Sequence, residues 1–224
     1  MITGAETLIS EVLRLEYFQP TPSGVTPIPT YWKPGTGSTV VVVGENASGK
    51  SFLRRVIAYL CQQSNLECIH TSMQERVQST GLKRIMVYGE ETESATGYNS
   101  ANLILGSMRT CQSRENPHVM VWDEPELGLS DNSAAGVGVA LRDFLRVPPA
   151  HTLAQVIITH SRALAQQLLD LDPHYLHLDS ESPPKSLLEW LRAPITPRSI
   201  SDILLAGKER YRLVEDVLKI RRGK

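Results

Sequence analysis

The sequence has no run of about 20 apolar residues, so it offers no helix able to span a bilayer. Its opening, Met1-Ile2-Thr3-Gly4-Ala5-Glu6-Thr7, lacks the basic start and apolar stretch of a secretory leader. Cysteine is scarce: Cys61, Cys68 and Cys111 are odd in number and form no C-x-x-C pair, so they read as reduced, packing thiols. Charge of one sign is missing too. With 23 Lys and Arg against 24 Asp and Glu the net is −1, and nothing global marks a nucleic-acid glove or a membrane-surface protein. Neither an internal repeat nor a low-complexity run occurs. What is present, 224 residues that are 41% hydrophobic and 21% charged, suits one soluble, cytoplasmic domain with ample chain for a core.

The rest of the chain is organised around Val40–Ser51, V-V-V-V-G-E-N-A-S-G-K-S. Four β-branched residues in succession read as a strand buried on both faces of a parallel sheet. Gly44, Glu45, Asn46, Ala47, Ser48, Gly49, Lys50 and Ser51 then fit G-x-x-x-x-G-K-[ST], and Phe52–Gln63 continues as a helix. In that context the loop turns its N–H groups toward phosphate oxygens, and the helix N-terminus adds donors and partial positive charge. Lys50 can reach the β- and γ-phosphates, and the Ser51 hydroxyl can ligate Mg²⁺.

Ahead of this loop, Glu6–Phe18 reads as a first strand by partial alternation, with a short helix as the alternative. Pro20, Pro22, Pro27, Pro29 and Pro34 force an extended, irregular segment that wraps the domain. Tyr17, Tyr31 and Trp32 lie on this side, and each either stacks on adenine or anchors the proline-rich loop. Downstream, strands are expected at Glu67–Thr71, Arg84–Tyr88, Val119–Trp122 and Val156–Thr159, with an edge strand at Tyr175–Leu178. Thr92–Tyr98 reads as a polar loop. Helices are expected at Asn102–Cys111, Ser133–Leu145 and Ser161–Leu169. Such alternation predicts an α/β fold with a mostly parallel sheet covered on both faces. The division is a strand and wrap at 1–38, a nucleotide-binding core at 39–180 and a helical tail at 181–224, all in one domain. From Arg198 to Lys224 there are eight Lys and Arg against four Asp and Glu, so the tail carries +4 and the preceding chain −5. Its apolar residues recur at helical spacing, which makes an amphipathic helix with a basic far side. Such a helix docks on its own domain or, in the sharper reading, contacts a partner or nucleic acid.

Two acids give the phosphate loop its chemistry. Asp123 follows the buried run Val119–Trp122, where a parallel sheet presents a carboxylate to Mg²⁺. Glu124 beside it can accept a proton from the attacking water, although adjacent acids after a strand can also be a solvated turn. His160, 37 residues past Asp123, ends another apolar strand on the same sheet edge and can bond the γ-phosphate or orient water.

The order G-E-N-A-S-G-K-S, V-M-V-W-D-E-P-E and V-I-I-T-H-S resembles the ATPase head of the ABC superfamily over Val40 to Leu178. It is closest to the soluble branch with the structural-maintenance-of-chromosomes, RecF and OLD-type ATPases. The resemblance implies a P-loop fold with an antiparallel N-terminal portion, and ATP and Mg²⁺ as cofactors. It implies a Walker A at Gly44–Ser51 with Phe52 beside it, and a Walker B at Val119–Asp123. Glu124 is then the base, His160 the switch histidine and Leu129-Ser130-Asp131 the D-loop. Gln74, with Gln78 as the alternative, is the Q-loop residue joining Ser51 and Asp123 at the metal. The family signature falls at Asn99-Ser100-Ala101-Asn102, with Ser100 23 residues before Asp123 and both glycines replaced. Ser100 and Asn102 are the residues there that would meet a second subunit's nucleotide, with weaker closure expected. Only 25 residues separate Gln74 from Ser100, and no coiled-coil arm occurs.

The expected function is an ATP-hydrolysing homodimer that controls an effector protein or a DNA-associated complex. The alternative is a nucleotide-gated scaffold that hydrolyses negligibly. A membrane-transporter subunit is disfavoured by the poor signature and the missing helical subdomain. A kinase or RecA-like motor would leave Glu124 and His160 needing separate explanations.

Overall fold

Val40 to Val43 present methyl groups to both sides of their strand, and the chain buries all four in the interior of a six-stranded sheet. The computed structural model describes residues 1–72, 96–178 and 182–222. Gln74, Gln78, the strand expected at Arg84–Tyr88 and the start of the polar loop fall outside the described residues. The strands are Thr30–Lys33 (β1), Thr39–Gly44 (β2), Glu67–Ser72 (β3), His118–Asp123 (β4), Thr152–Ile158 (β5) and His174–Leu178 (β6). Their spatial order is β1-β6-β2-β5-β4-β3, and every neighbouring pair is parallel except β1 with β6.

The helices are Ala5–Leu13 (α1), Lys50–Gln63 (α2), Thr96–Gln112 (α3), Asp131–Leu145 (α4), Arg162–Gln166 (α5), Leu187–Arg192 (α6) and Ile200–Arg222 (α7). Alternation along the strands divides the core in two. Val40, Val42, Val119, Val121 and Ile158 pack with Leu8 and Val12 of α1, Leu53 and Ile57 of α2, and Val217 of α7. Val41, Val43, Met120, Trp122 and Ile157 pack with Ile104 of α3, Leu141 of α4, Leu164 of α5 and Trp190 of α6. Among the described residues no helix is long and apolar enough to cross a membrane.

Four expectations are corrected. Glu6–Phe18 is not a strand: Ala5, Leu8, Ile9 and Val12 recur at intervals of three and four and bury one face of α1, and Glu16–Phe18 is a 3-10 turn. The antiparallel portion instead lies within the proline-rich segment, where β1 fits between Pro29 and Pro34 as an edge strand that needs few ladder bonds. Because β1 pairs outside it, β6 is an interior strand rather than an edge. Residues 96–98 of the polar loop are the first turn of α3.

Two short-range features hold the helices that follow the loops after β4 and β5. Ser130 caps α4 by accepting the Ser133 N–H at 3.4 Å, and Ser161 caps α5 by accepting the Leu164 N–H at 3.2 Å. Where these helices meet, a Cβ on Gly138 would come within 2.6 Å of the Leu164 carbonyl, so the backbones approach as only glycine allows. The basic tail docks on its own domain through Val214 and Val217 of α7, and Arg210 donates to the Pro27 carbonyl.

Candidate functional site

The phosphate-type loop joins β2 to α2 through backbone shapes that L-residues rarely take. Gly44 has φ +157 and Gly49, the N-cap of α2, φ +101. A Cβ on Gly44 would sit 2.8 Å from both the Leu178 carbonyl and Ser48 Oγ. Ala47 at the tip is also left-handed, with φ 64. The Lys50 ammonium folds back over the loop, donating to the Gly44 carbonyl at 2.8 Å, the Glu45 carbonyl at 2.7 Å and Ser48 Oγ at 3.4 Å. Burial lowers its pKa to about 8, against the pull of the Glu124, Glu45, Asp123 and Glu126 carboxylates. Glu45, Asn46, Ala47 and Ser51 are exposed; Ser48 is buried, and Phe52 turns its ring edge to Tyr17 at 4.8 Å.

Asp123 closes β4 in register with Ser72 of β3. Its Oδ2 accepts from Ser72 Oγ at 3.3 Å and meets Arg54 Nε of α2 at 3.1 Å. Burial pushes this carboxyl upward and the Arg54 guanidinium opposes the shift. Among the described residues no three His, Cys, Asp or Glu side chains gather as a complete metal cage. The donor types still suit Mg²⁺, which takes one or two protein oxygens together with substrate phosphates. A buried carboxylate and the Ser51 hydroxyl are of that kind.

Glu124 leaves β4 in the left-handed region, φ 51, held there by its N–H to the Ile158 carbonyl of β5 at 2.8 Å. Its Oε1 accepts from His160 Nε2, which arrives from the end of β5. The alternative of a solvated turn does not hold: Asp123 and Glu124 are both buried. Lys50, Glu124 and His160 come from three adjacent strands and line connected space at one sheet edge. One cleft of about 780 Å³ is bordered by Gly44, Glu45, Glu124, His160, Leu129 and Asp131. A second cavity of about 480 Å³ holds Asn46 to Phe52 with Glu124 and His160.

Not every expected residue joins them. Ser100 and its neighbour Asn99 are buried within α3, while Asn102 is exposed beside β3, and neither Ser100 nor Asn102 lines these cavities. Tyr17, Tyr31 and Trp32 do not line the Lys50 cavity either. Tyr17 is buried on Phe52, Tyr31 lies beneath the Lys185 ammonium at 4.5 Å, and Trp32 stacks on His174 at 6.3 Å.

Glu126 is a residue of this loop cluster that the spacing argument passed over. Its buried Oε1 accepts from Thr159 Oγ1 at 2.5 Å, the His160 N–H at 3.1 Å and the Ser161 N–H at 3.2 Å. One carboxylate oxygen thus ties the loop after β4 to the turn that carries His160. The signal lay in D-E-P-E, whose third acid is two residues past the first pair. Glu126→Ala removes the acceptor of the buried Thr159 hydroxyl and of the His160 N–H, while the Ser161 N–H keeps Thr159 Oγ1 at 2.9 Å, and we expect a loss of about 1–3 kcal/mol in unfolding free energy, read by urea titration. A midpoint equal to the parent protein's would mean that the bracket carries no stability.

No family model and no curated protein matches the chain significantly, so the site is interpreted through its own residues.

Proposed function

We propose that the chain is a P-loop ATPase of ABC type, which binds ATP with Mg²⁺, pairs around it and hydrolyses it to control a partner protein or DNA-associated complex. The observation that carries this reading is the Lys50–Glu124–His160 convergence beside a loop of phosphate-cradle shape. Ser51 and Asp123 would hold the Mg²⁺, whose charge would offset that of the β- and γ-phosphate oxygens. The loop N–H groups and the α2 N-terminus bind the phosphates. Lys50 exchanges the Gly44 and Glu45 carbonyls for anionic oxygens, a stronger partner for a desolvated ammonium. Glu124 takes the proton of the attacking water as the bond from the γ-phosphorus to the bridging oxygen breaks, giving ADP and inorganic phosphate. His160 holds the Glu124 carboxylate in place from the neighbouring strand, and Glu126 holds the His160 turn.

One observation favours the second reading, a nucleotide-gated scaffold with negligible turnover. Asn99 and Ser100 are buried where a signature loop would present donors to a second subunit. Both readings are tested together by phosphate release and by molecular mass in solution, with and without ATP. Release that requires Mg²⁺ and stops on chelation, with an ATP-dependent doubling of mass, is the expected result. Doubling without release selects the scaffold, and neither change would remove both.

A further inference from the structure

The wall facing the phosphate-type loop is built by α7, an element far away in sequence. At Gly207 the helix lies against the loop tip: an added Cβ would meet Ala47 Cβ at 3.8 Å, ordinary contact distance. From there Tyr211, Val214 and Leu218 follow at intervals of four, three and four residues, so one helix face continues along the cavity. Across from it stand Phe52 and Arg55 of α2, one and two turns beyond the loop. The open cleft between them, about 480 Å³, is of nucleotide size.

Tyr211 is out of place as a packing residue. It is 72% exposed, although it lies one turn beyond the contact at Gly207 and lines the cavity wall. Phe52, the other aromatic there, already has its edge on Tyr17. A planar group seated beside α2 would cover the Tyr211 ring and bury apolar surface that now meets water. A base has a π-face suited to that role, and purines, with two fused rings, cover more of it.

We infer that α7 forms the nucleoside side of the site, with Tyr211 stacking on the base of a purine nucleoside triphosphate whose phosphates occupy the Gly44–Ser51 loop. This rests on the reading of that loop as a phosphate cradle. Sequence spacing sought the stacking aromatic upstream of the loop, at Tyr17, Tyr31 or Trp32; the cavity instead receives it from the opposite end of the chain.

The test compares ATP with inorganic tripolyphosphate, which shares the phosphates and lacks the nucleoside, by calorimetric titration of the full chain. The parent protein should bind ATP more tightly than tripolyphosphate. Tyr211→Ala should weaken ATP roughly tenfold while tripolyphosphate stays within about twofold, and Tyr211→Phe should retain ATP affinity. Because Tyr211 is mostly exposed, its loss leaves the fold intact, which circular dichroism of the variant checks. An unchanged ATP affinity in Tyr211→Ala overturns the inference. So does an equal loss for both ligands, since that would make α7 a support for the loop and not a base platform. If the parent protein binds neither ligand, the cradle reading falls first; if it binds both and Tyr211→Ala matches it, only the stacking role falls.

Discussion

Glu124→Gln should lower phosphate release by about 100- to 10,000-fold while ATP still binds. Glutamine keeps nearly the same shape and can still accept from His160 Nε2, so the edge of the sheet is left assembled. What it loses is the ability to take a proton from water. Single-turnover and equilibrium-binding measurements separate the two effects, and an ATP-bound species should accumulate. Turnover near the parent rate would show that the proton goes elsewhere, and His160 would be the next candidate. The left-handed backbone at Glu124 makes this position informative for a second reason. Strain of this kind persists only where surrounding bonds impose it, here the N–H to Ile158 and the side chain to His160.

Lys50→Ala should abolish measurable nucleotide affinity, a loss on the order of 100-fold or more, because it removes a buried cation from the loop. The pH dependence provides an internal check. Burial leaves the nucleotide-free ammonium with a pKa of about 8, and bound phosphates would restore its charge preference. Below pH 8 the group is already charged and affinity is flat. Above pH 8 binding requires proton uptake, so affinity should fall with rising pH by up to about tenfold per unit. A parent profile that stays level from pH 7 to 10 would exclude Lys50 from phosphate contact.

The interior of the fold was legible because its signals are local. Val40–Val43, Val119–Trp122 and Val156–Thr159 are short apolar runs, and the structure has strands at or around each, with Asp123 and His160 at their ends. Where two periodicities overlapped, the reading failed. The apolar face of α1 repeats at helical spacing, but the partial alternation in Val12–Phe18 suggested a strand. The proline-rich segment hid β1, because its pairing partner β6 lies more than 130 residues away and leaves no trace in the local pattern. Site residues followed the same division. Asp123, Glu124 and His160 stand out locally because they end apolar runs; Glu126 and Arg54 make their contacts across the fold, and no short window of sequence contains both partners. Ser72 was unmarked for the same reason, its role arising only from register with Asp123.

Gly138 joins the helices that begin just after the two loops tied by Glu126. The Leu164 carbonyl and the Gln167 side chain both press on α4 at this point, so there is little slack between the helices. The helix that starts beyond His160 and α4 therefore have little room to slide past each other.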